Sequence, residues 1–202
     1  MEDSENHDRV RDFFDRAAPE WADRPFDQAL MEALVKRLKL RPGDRVVDLG
    51  GGTGHLLAAL RRRVGRRGAI CMVDLSPGML RHARALAARH AAARVCGLAE
   101  SLPLRDGGWE AVVGMGLFPH LAAPEAALAE VRRVLRPGGR VAFMHLVGRQ
   151  KLNLLHTEIG GPLAGHLLPP GPQVARTLEG AGFTVDEALD EADCFLVMGR
   201  RH

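Results

Sequence analysis

Residues 46–57 read Val-Val-Asp-Leu-Gly-Gly-Gly-Thr-Gly-His-Leu-Leu, and no other stretch restricts the fold so tightly. A short β-branched run, the mark of a buried strand, ends in Asp48 and turns through Gly50, Gly52 and Gly54 into a helical pattern reaching about Val64. Glycine at alternate positions lets a backbone bend sharply and lets a ligand lie against it without meeting a Cβ. The same alternation continues downstream. Strands are predicted at 69–73, 94–96, 109–115 and 140–146, with helices at 76–90, where Ser76 caps and Pro77 takes the first turn, and at 124–135. Strands separated by helices of 10–15 residues make right-handed parallel crossovers, so an α/β doubly wound sheet covered on both faces is expected. Two helical patterns precede it in residues 4–39. A short helix at 152–159, another at 172–181 and a closing hairpin of strands at 184–189 and 194–200 follow it.

The chain's 202 residues, 46% of them hydrophobic and 26% charged, suit one domain with its own core. We divide it into an N-terminal cap at 1–40, a core at 41–147 and an acceptor-side segment at 148–202. No apolar run approaches the ~20 residues that span a bilayer, and the start is acidic where a signal peptide is basic, so a cytoplasmic protein without a membrane partner is expected. Twenty-eight basic residues against 25 acidic ones, and 4% aromatics with no tyrosine, disfavour a dedicated nucleic-acid surface. Cys71, Cys96 and Cys194 form no CxxC pair and are expected as buried reduced thiols. The arginines at 61, 62, 63, 66 and 67 are expected at a solvated helix end, and His82 and His90 in solvent.

The glycine spacing also selects a ligand class. A dinucleotide fingerprint needs a third glycine where His55 stands, and no Gly-Lys-Ser/Thr follows to make a phosphate loop. Asp48 beside the turn favours a positively charged ligand and repels phosphates. Asp74, twenty residues after Gly54, ends the second strand where a carboxylate accepts hydrogen bonds from ribose hydroxyls. Together these describe a cationic nucleoside cofactor.

Four segments occur in order: VVDLGGGTG, VDLSPGML, AESLPL at 99–104 and VLRPGGR at 134–140. In this the chain resembles the class I S-adenosylmethionine-dependent methyltransferases of the small-molecule type, over about residues 8–147. The resemblance implies a seven-stranded sheet in the order 3-2-1-4-5-7-6 with the last strand antiparallel, and S-adenosylmethionine lying across the strand ends. It implies that Asp48, with the loop of Gly50, Gly51, Gly52 and Gly54, holds the methionine portion. Asp74 would hold the ribose, Leu75 and Met79 would flank the adenine, and Ala99 would meet the adenine edge. Met115 and Gly116 would face the sulfonium. The family often has Asp before the Ala-Glu pair; Leu98 stands there, which leaves adenine recognition to backbone or to Glu100.

A sulfonium is an activated methyl donor, so in-line displacement needs little beyond positioning and a base. His120, in the loop after the fourth strand, is the candidate base. Phe13, Phe14 and Trp21 resemble the lid helix of related enzymes. His145, His156 and His166 leave open a role toward substrate or metal; their spacing is not that of a metal site, and no metal is expected. A small-molecule methyltransferase is the leading expectation. RNA methylation lacks an appended module and the N/D-P-P-Y/F tetrapeptide, and a non-catalytic S-adenosylmethionine-binding module is the third. The oligomeric state stays open, a homodimer included.

Overall fold

The computed structural model describes residues 2–202; Met1, the first residue of the expected cap, lies outside them. Helices α1 (Glu2–Asp23) and α2 (Gln28–Arg37) lead into β1 (Arg45–Leu49), α3 (Leu57–Val64), β2 (Ala69–Asp74), α4 (Pro77–His82), α5 (Arg84–Arg89) and β3 (Ala92–Cys96). The second half runs β4 (Trp109–Met115), α6 (Pro124–Val134), β5 (Leu135–His145), α7 (Arg149–Ile159), α8 (Gly171–Gly180), β6 (Phe183–Asp190) and β7 (Phe195–Arg201). The seven strands form one sheet in the order β3-β2-β1-β4-β5-β7-β6. The pairs from β3 to β5 are parallel, and β7 runs antiparallel to both β5 and β6. The expected α/β class, strand order and reversed strand are therefore observed.

Strand alternation divides the core in two. Val47, Val73, Val112, Val141 and Phe143 pack with Leu128 and Val131 of α6 and Val174 and Leu178 of α8. Their neighbours Val46, Met72, Val113, Ala142 and Met144 pack with Leu34 of α2 and Leu57, Leu60 and Val64 of α3 on the other face. Both faces are thus covered, as buried parallel strands require. The reversal at β3-β2-β1 against β4-β5 leaves a crevice at the carboxyl ends of β1 and β4, the switch point where such sheets bind ligands.

Four expectations are corrected. The helix expected over 76–90 is assigned as two, although Ala83 between them keeps right-handed helical backbone and bonds to Met79. Cys71 and Cys194 are buried, but Cys96 is exposed because β3 is the edge strand and its last residue faces out. Arg61 is not a solvated residue. Its guanidinium donates to the carbonyls of Gly65, Gly68 and His90, satisfying groups around the carboxyl end of α3. Arg62 and Arg63 pair with Glu32. His82 is exposed as expected, whereas His90 is half-buried.

Gly148 opens α7 where the chain passes the β6–β7 turn, and a Cβ there would be driven into the backbone of Glu191 and Ala192. Neither side is a flexible side chain. Gly148→Ala is expected to lower stability by about 2–3 kcal/mol, read as a shifted denaturation midpoint with unchanged slope.

Candidate active site

The carboxyl end of β1 builds the site. Gly50, Gly52 and Gly54 all have positive φ, at +66°, +54° and +90°, which explains glycine there. A Cβ on Gly50 would also strike the Leu117 side chain. The Gly50 amide donates to the Val73 carbonyl, tying the turn to β2. Asp74, at the end of β2, fixes it a second time: Oδ2 accepts from the Gly52 amide and Oδ1 from the Ser76 amide, each at 2.8 Å. One carboxylate thus joins the two loops that follow β1 and β2. Burial pushes Asp74 up to about 6 despite these two amides, and the charge of Asp15 adds to the rise.

Asp48 is 1% exposed, and neither carboxylate oxygen has a partner. Burial, then repulsion by Asp74, raises it to about 7. The Thr53 hydroxyl, which lines the same cavity, is also buried and unpartnered. Buried polar groups are normally satisfied, and a carboxylate left bare next to a cavity is where a cationic ligand would be stabilised.

That cavity holds about 320 Å³. All of the residues expected on the cofactor side line it except Gly54: Asp48, Gly50, Gly51, Gly52, Asp74, Leu75, Met79, Ala99, Glu100, Met115 and Gly116. Gly54 turns the chain behind it, toward Leu57 and Ala83. Glu100 is partly committed elsewhere. Its Oε1 accepts from the amides of Ala122 and Ala123, holding the loop before α6. Leu98 bridges to Ser101 and also lines the cavity.

Helix α1 closes one side with Phe14 and Trp21, whereas Phe13 packs edge-on behind Phe14. Asp15 docks this helix: its Oδ1 accepts from the Ser76 hydroxyl and from the Gly78 amide at 2.6 Å. Gly78 is needed there, since a Cβ would meet the Asp15 backbone. Burial alone would raise Asp15, but the Ser76 and Gly78 bonds together with the charges of Arg81 and Arg11 outweigh it and hold the carboxyl below its ordinary value. At the far end His55 Nε2 donates to the Trp21 carbonyl at 2.9 Å, and the Phe26 ring packs against its ring at a tilt of 52°. Asp15→Ala removes two bonds to a charged acceptor and is expected to cost about 1–3 kcal/mol and to quicken proteolysis within residues 2–27. A cleavage rate equal to that of the parent protein would exclude this docking role.

The opposite end is a histidine cluster that sequence spacing did not disclose. His120, in the short 3-10 turn at Phe118–His120, stands with Nδ1 3.0 Å from Nδ1 of His166. Its ring lies 5.1 Å from that of His156 and meets Phe14 of α1 edge-on. His156 Nδ1 donates to the His166 carbonyl at 2.6 Å. Burial and then the neighbouring histidines 156, 166 and 145 hold His120 well below its ordinary value; burial and His156 lower His166 and bring His145 to about 3. Among the described residues, no group of three or more His, Cys, Asp or Glu side chains is arranged to hold a metal ion. Also among them, no helix is long and apolar enough to cross a membrane.

Thr53, His55, Leu117 and Phe26 line the cavity and were missed by sequence reasoning. Thr53 and His55 sit in the glycine motif itself, and that position was the available signal. Phe26 and Leu117 carried none.

Residues 46–139 match the family model described as a methyltransferase domain. The malonyl-[acyl-carrier protein] O-methyltransferase of Geobacter sulfurreducens is 34% identical over 196 residues, 91% of this chain and 73% of that protein. A ubiquinone/menaquinone biosynthesis C-methyltransferase, UbiE of Cupriavidus metallidurans, is 36% identical over 113 residues, 54% of this chain and 46% of its own length. The chain thus spans about half the length of that relative, and 37% of another, a 37.1 kDa protein of transposon TN4556 from Streptomyces fradiae. A SAM dependent methyltransferase from Aquifex aeolicus shares the fold, with a TM-score of 0.74 at 23% identity, covering 91% of this chain and 98% of that one. The chain belongs to the class I S-adenosylmethionine-dependent methyltransferases.

Proposed function

We propose that this chain transfers a methyl group from S-adenosylmethionine to a small-molecule acceptor by in-line displacement. The observation that carries the reading is the bare, buried Asp48 carboxylate at the glycine turn, in one cavity with Asp74, His120, His145 and His156. The residues fit the cofactor's chemistry. Asp48 would face its ammonium, the Gly50–Gly52 backbone its methionine chain, and Asp74 its ribose, with lone pairs left beyond the two amides it already accepts. Leu75 and Met79 would flank the adenine, and Ala99 would meet its edge. When bound, the cofactor supplies a methyl on a sulfonium and a thioether leaving group. The chain's own part is to hold the acceptor in line, to exclude water with the α1 aromatics, and to take a proton at His120.

The relatives named for ubiquinone/menaquinone biosynthesis support a small-molecule acceptor, whereas the relative named for malonyl-[acyl-carrier protein] acts, by that name, on a small acyl group carried by a protein. The test is to incubate the protein with methyl-labelled S-adenosylmethionine and a metabolite extract. Label should appear in small molecules together with S-adenosylhomocysteine. Label in RNA, or cofactor binding with no S-adenosylhomocysteine, would overturn the reading in favour of RNA methylation or a non-catalytic module respectively.

A further inference from the structure

We infer that His166 is a positioning residue that makes His120 a base for an apolar phenolic acceptor and carries the abstracted proton away; this deepens the methyl-transfer reading above and rests on it. Two observations point there. The first is the 3.0 Å contact between Nδ1 of His120 and Nδ1 of His166. Two imidazole nitrogens at that distance must share one proton, donated by one ring and accepted by the other. If His120 holds it, the lone pair of His120 falls on Nε2, and the side chain lines the cavity. The second is the wall around it. Leu146, Val147, Leu152, Leu155, Ile159 and Leu163 surround this end of the cavity, and Ile159 is 41% exposed at its rim. Such a wall stabilises an uncharged molecule and offers no counter-charge to an anionic or cationic one.

A phenol matches both. It is apolar, and its hydroxyl is a poor nucleophile until its proton is engaged. As the phenol oxygen forms its bond to the methyl carbon, the carbon–sulfur bond breaks and sulfur keeps that electron pair. The hydroxyl proton goes to His120 Nε2. His120 passes its Nδ1 proton to His166 Nδ1, and His166, which is half-buried, gives its own Nε2 proton to water; once product has left, His120 loses its Nε2 proton to solvent in the emptied cavity while His166 regains one at Nε2 and returns its Nδ1 proton to His120, which restores both rings. The ionisable groups facing His120 are His156 of α7, His145 of β5 and His166 of the following loop; α1 presents Phe14. The His156 Nδ1 proton is held by the His166 carbonyl, which leaves His166 Nδ1 free to accept.

The acceptor class is tested with three phenols of nearly equal size: 4-propylphenol, tyramine and 3-(4-hydroxyphenyl)propionate. S-Adenosylhomocysteine formation should be at least ~10-fold faster in kcat/KM with the first than with either charged analogue, the scale of one unpaired polar group. For the relay, His166→Phe should lower kcat by ~10² with KM unchanged and move the acid limb of the pH–rate profile, while calorimetric binding of S-adenosylhomocysteine stays the same. Imidazole 15N NMR gives a readout without turnover. His120 should be protonated at Nδ1 in the parent protein and revert to Nε2–H in His166→Phe; His166→Gln, whose amide oxygen can accept the same proton, should keep the Nδ1–H form.

Loss of S-adenosylhomocysteine binding in the parent would defeat the methyltransferase reading itself. Intact binding with charged phenols preferred, or with none of the three methylated, overturns the acceptor class. Intact binding with His120 protonated at Nε2 in the parent overturns the relay alone.

Discussion

Asp74→Ala is expected to weaken S-adenosylhomocysteine binding by about 100-fold, the equivalent of two tenfold steps of 1.4 kcal/mol each. Two losses combine. A charged acceptor for the ribose hydroxyls disappears, worth about 1.5–3 kcal/mol. The Gly52 and Ser76 amides also lose the carboxylate that holds the loops after β1 and β2 in register. Asp74→Asn separates these effects, since its single carbonyl oxygen can serve one amide but not both. Its affinity should fall between those of the parent and the alanine variant. Calorimetry at fixed pH measures both, and unchanged affinity in Asp74→Ala would remove Asp74 from the cofactor site. Denaturation should show a smaller deficit, because the loops lie outside the two packed cores.

What the sequence made legible follows from the range over which each signal acts. The glycine turn, the Ser76-Pro77 cap and the β-branched runs are local, and the strands and crossovers they predict are observed within a few residues. Asp48 and Asp74 were legible because strand ends place them in register with that turn. The histidine cluster was not. His120, His145, His156 and His166 come from a loop, a strand, a helix and a second loop, and only packing of the 148–170 segment over the sheet brings them together. Spacing argued only against a metal site and could not show the contact with His120, because it measures contour, not space. Cys96 was misjudged for a related reason: an apolar sequence neighbourhood does not say which strand lies at the edge. The docking of α1 by Asp15 was equally hidden, since its partners Ser76 and Gly78 lie more than sixty residues away.

Asp48→Asn should change stability and binding in opposite directions. The folded chain holds this carboxyl at about 7 against an ordinary 3.8, so the native state keeps a proton that the unfolded chain has released. Stability therefore falls as pH rises through that window, and the cost is complete above about pH 7. Asparagine keeps the shape and removes the charge. The variant should be roughly 1–3 kcal/mol more stable than the parent at pH 8, as expected when an uncompensated buried charge is relieved, and the gap should close toward pH 4. Binding behaves inversely, because a ligand ammonium needs the ionised form. In the parent, affinity for S-adenosylhomocysteine should rise about tenfold between pH 6 and pH 8 from Asp48, because the ionised share of a group at about 7 grows from roughly a tenth to roughly nine tenths across that range. The variant should bind at least tenfold more weakly at pH 8 and keep only the shallower dependence, centred near pH 6, that Asp74 contributes. Calorimetry across this range, paired with urea denaturation of the ligand-free protein, checks both halves. A variant that is less stable and binds equally well would mean that Asp48 is a structural carboxylate with a hidden partner, and the cation-binding role assigned to it would fall.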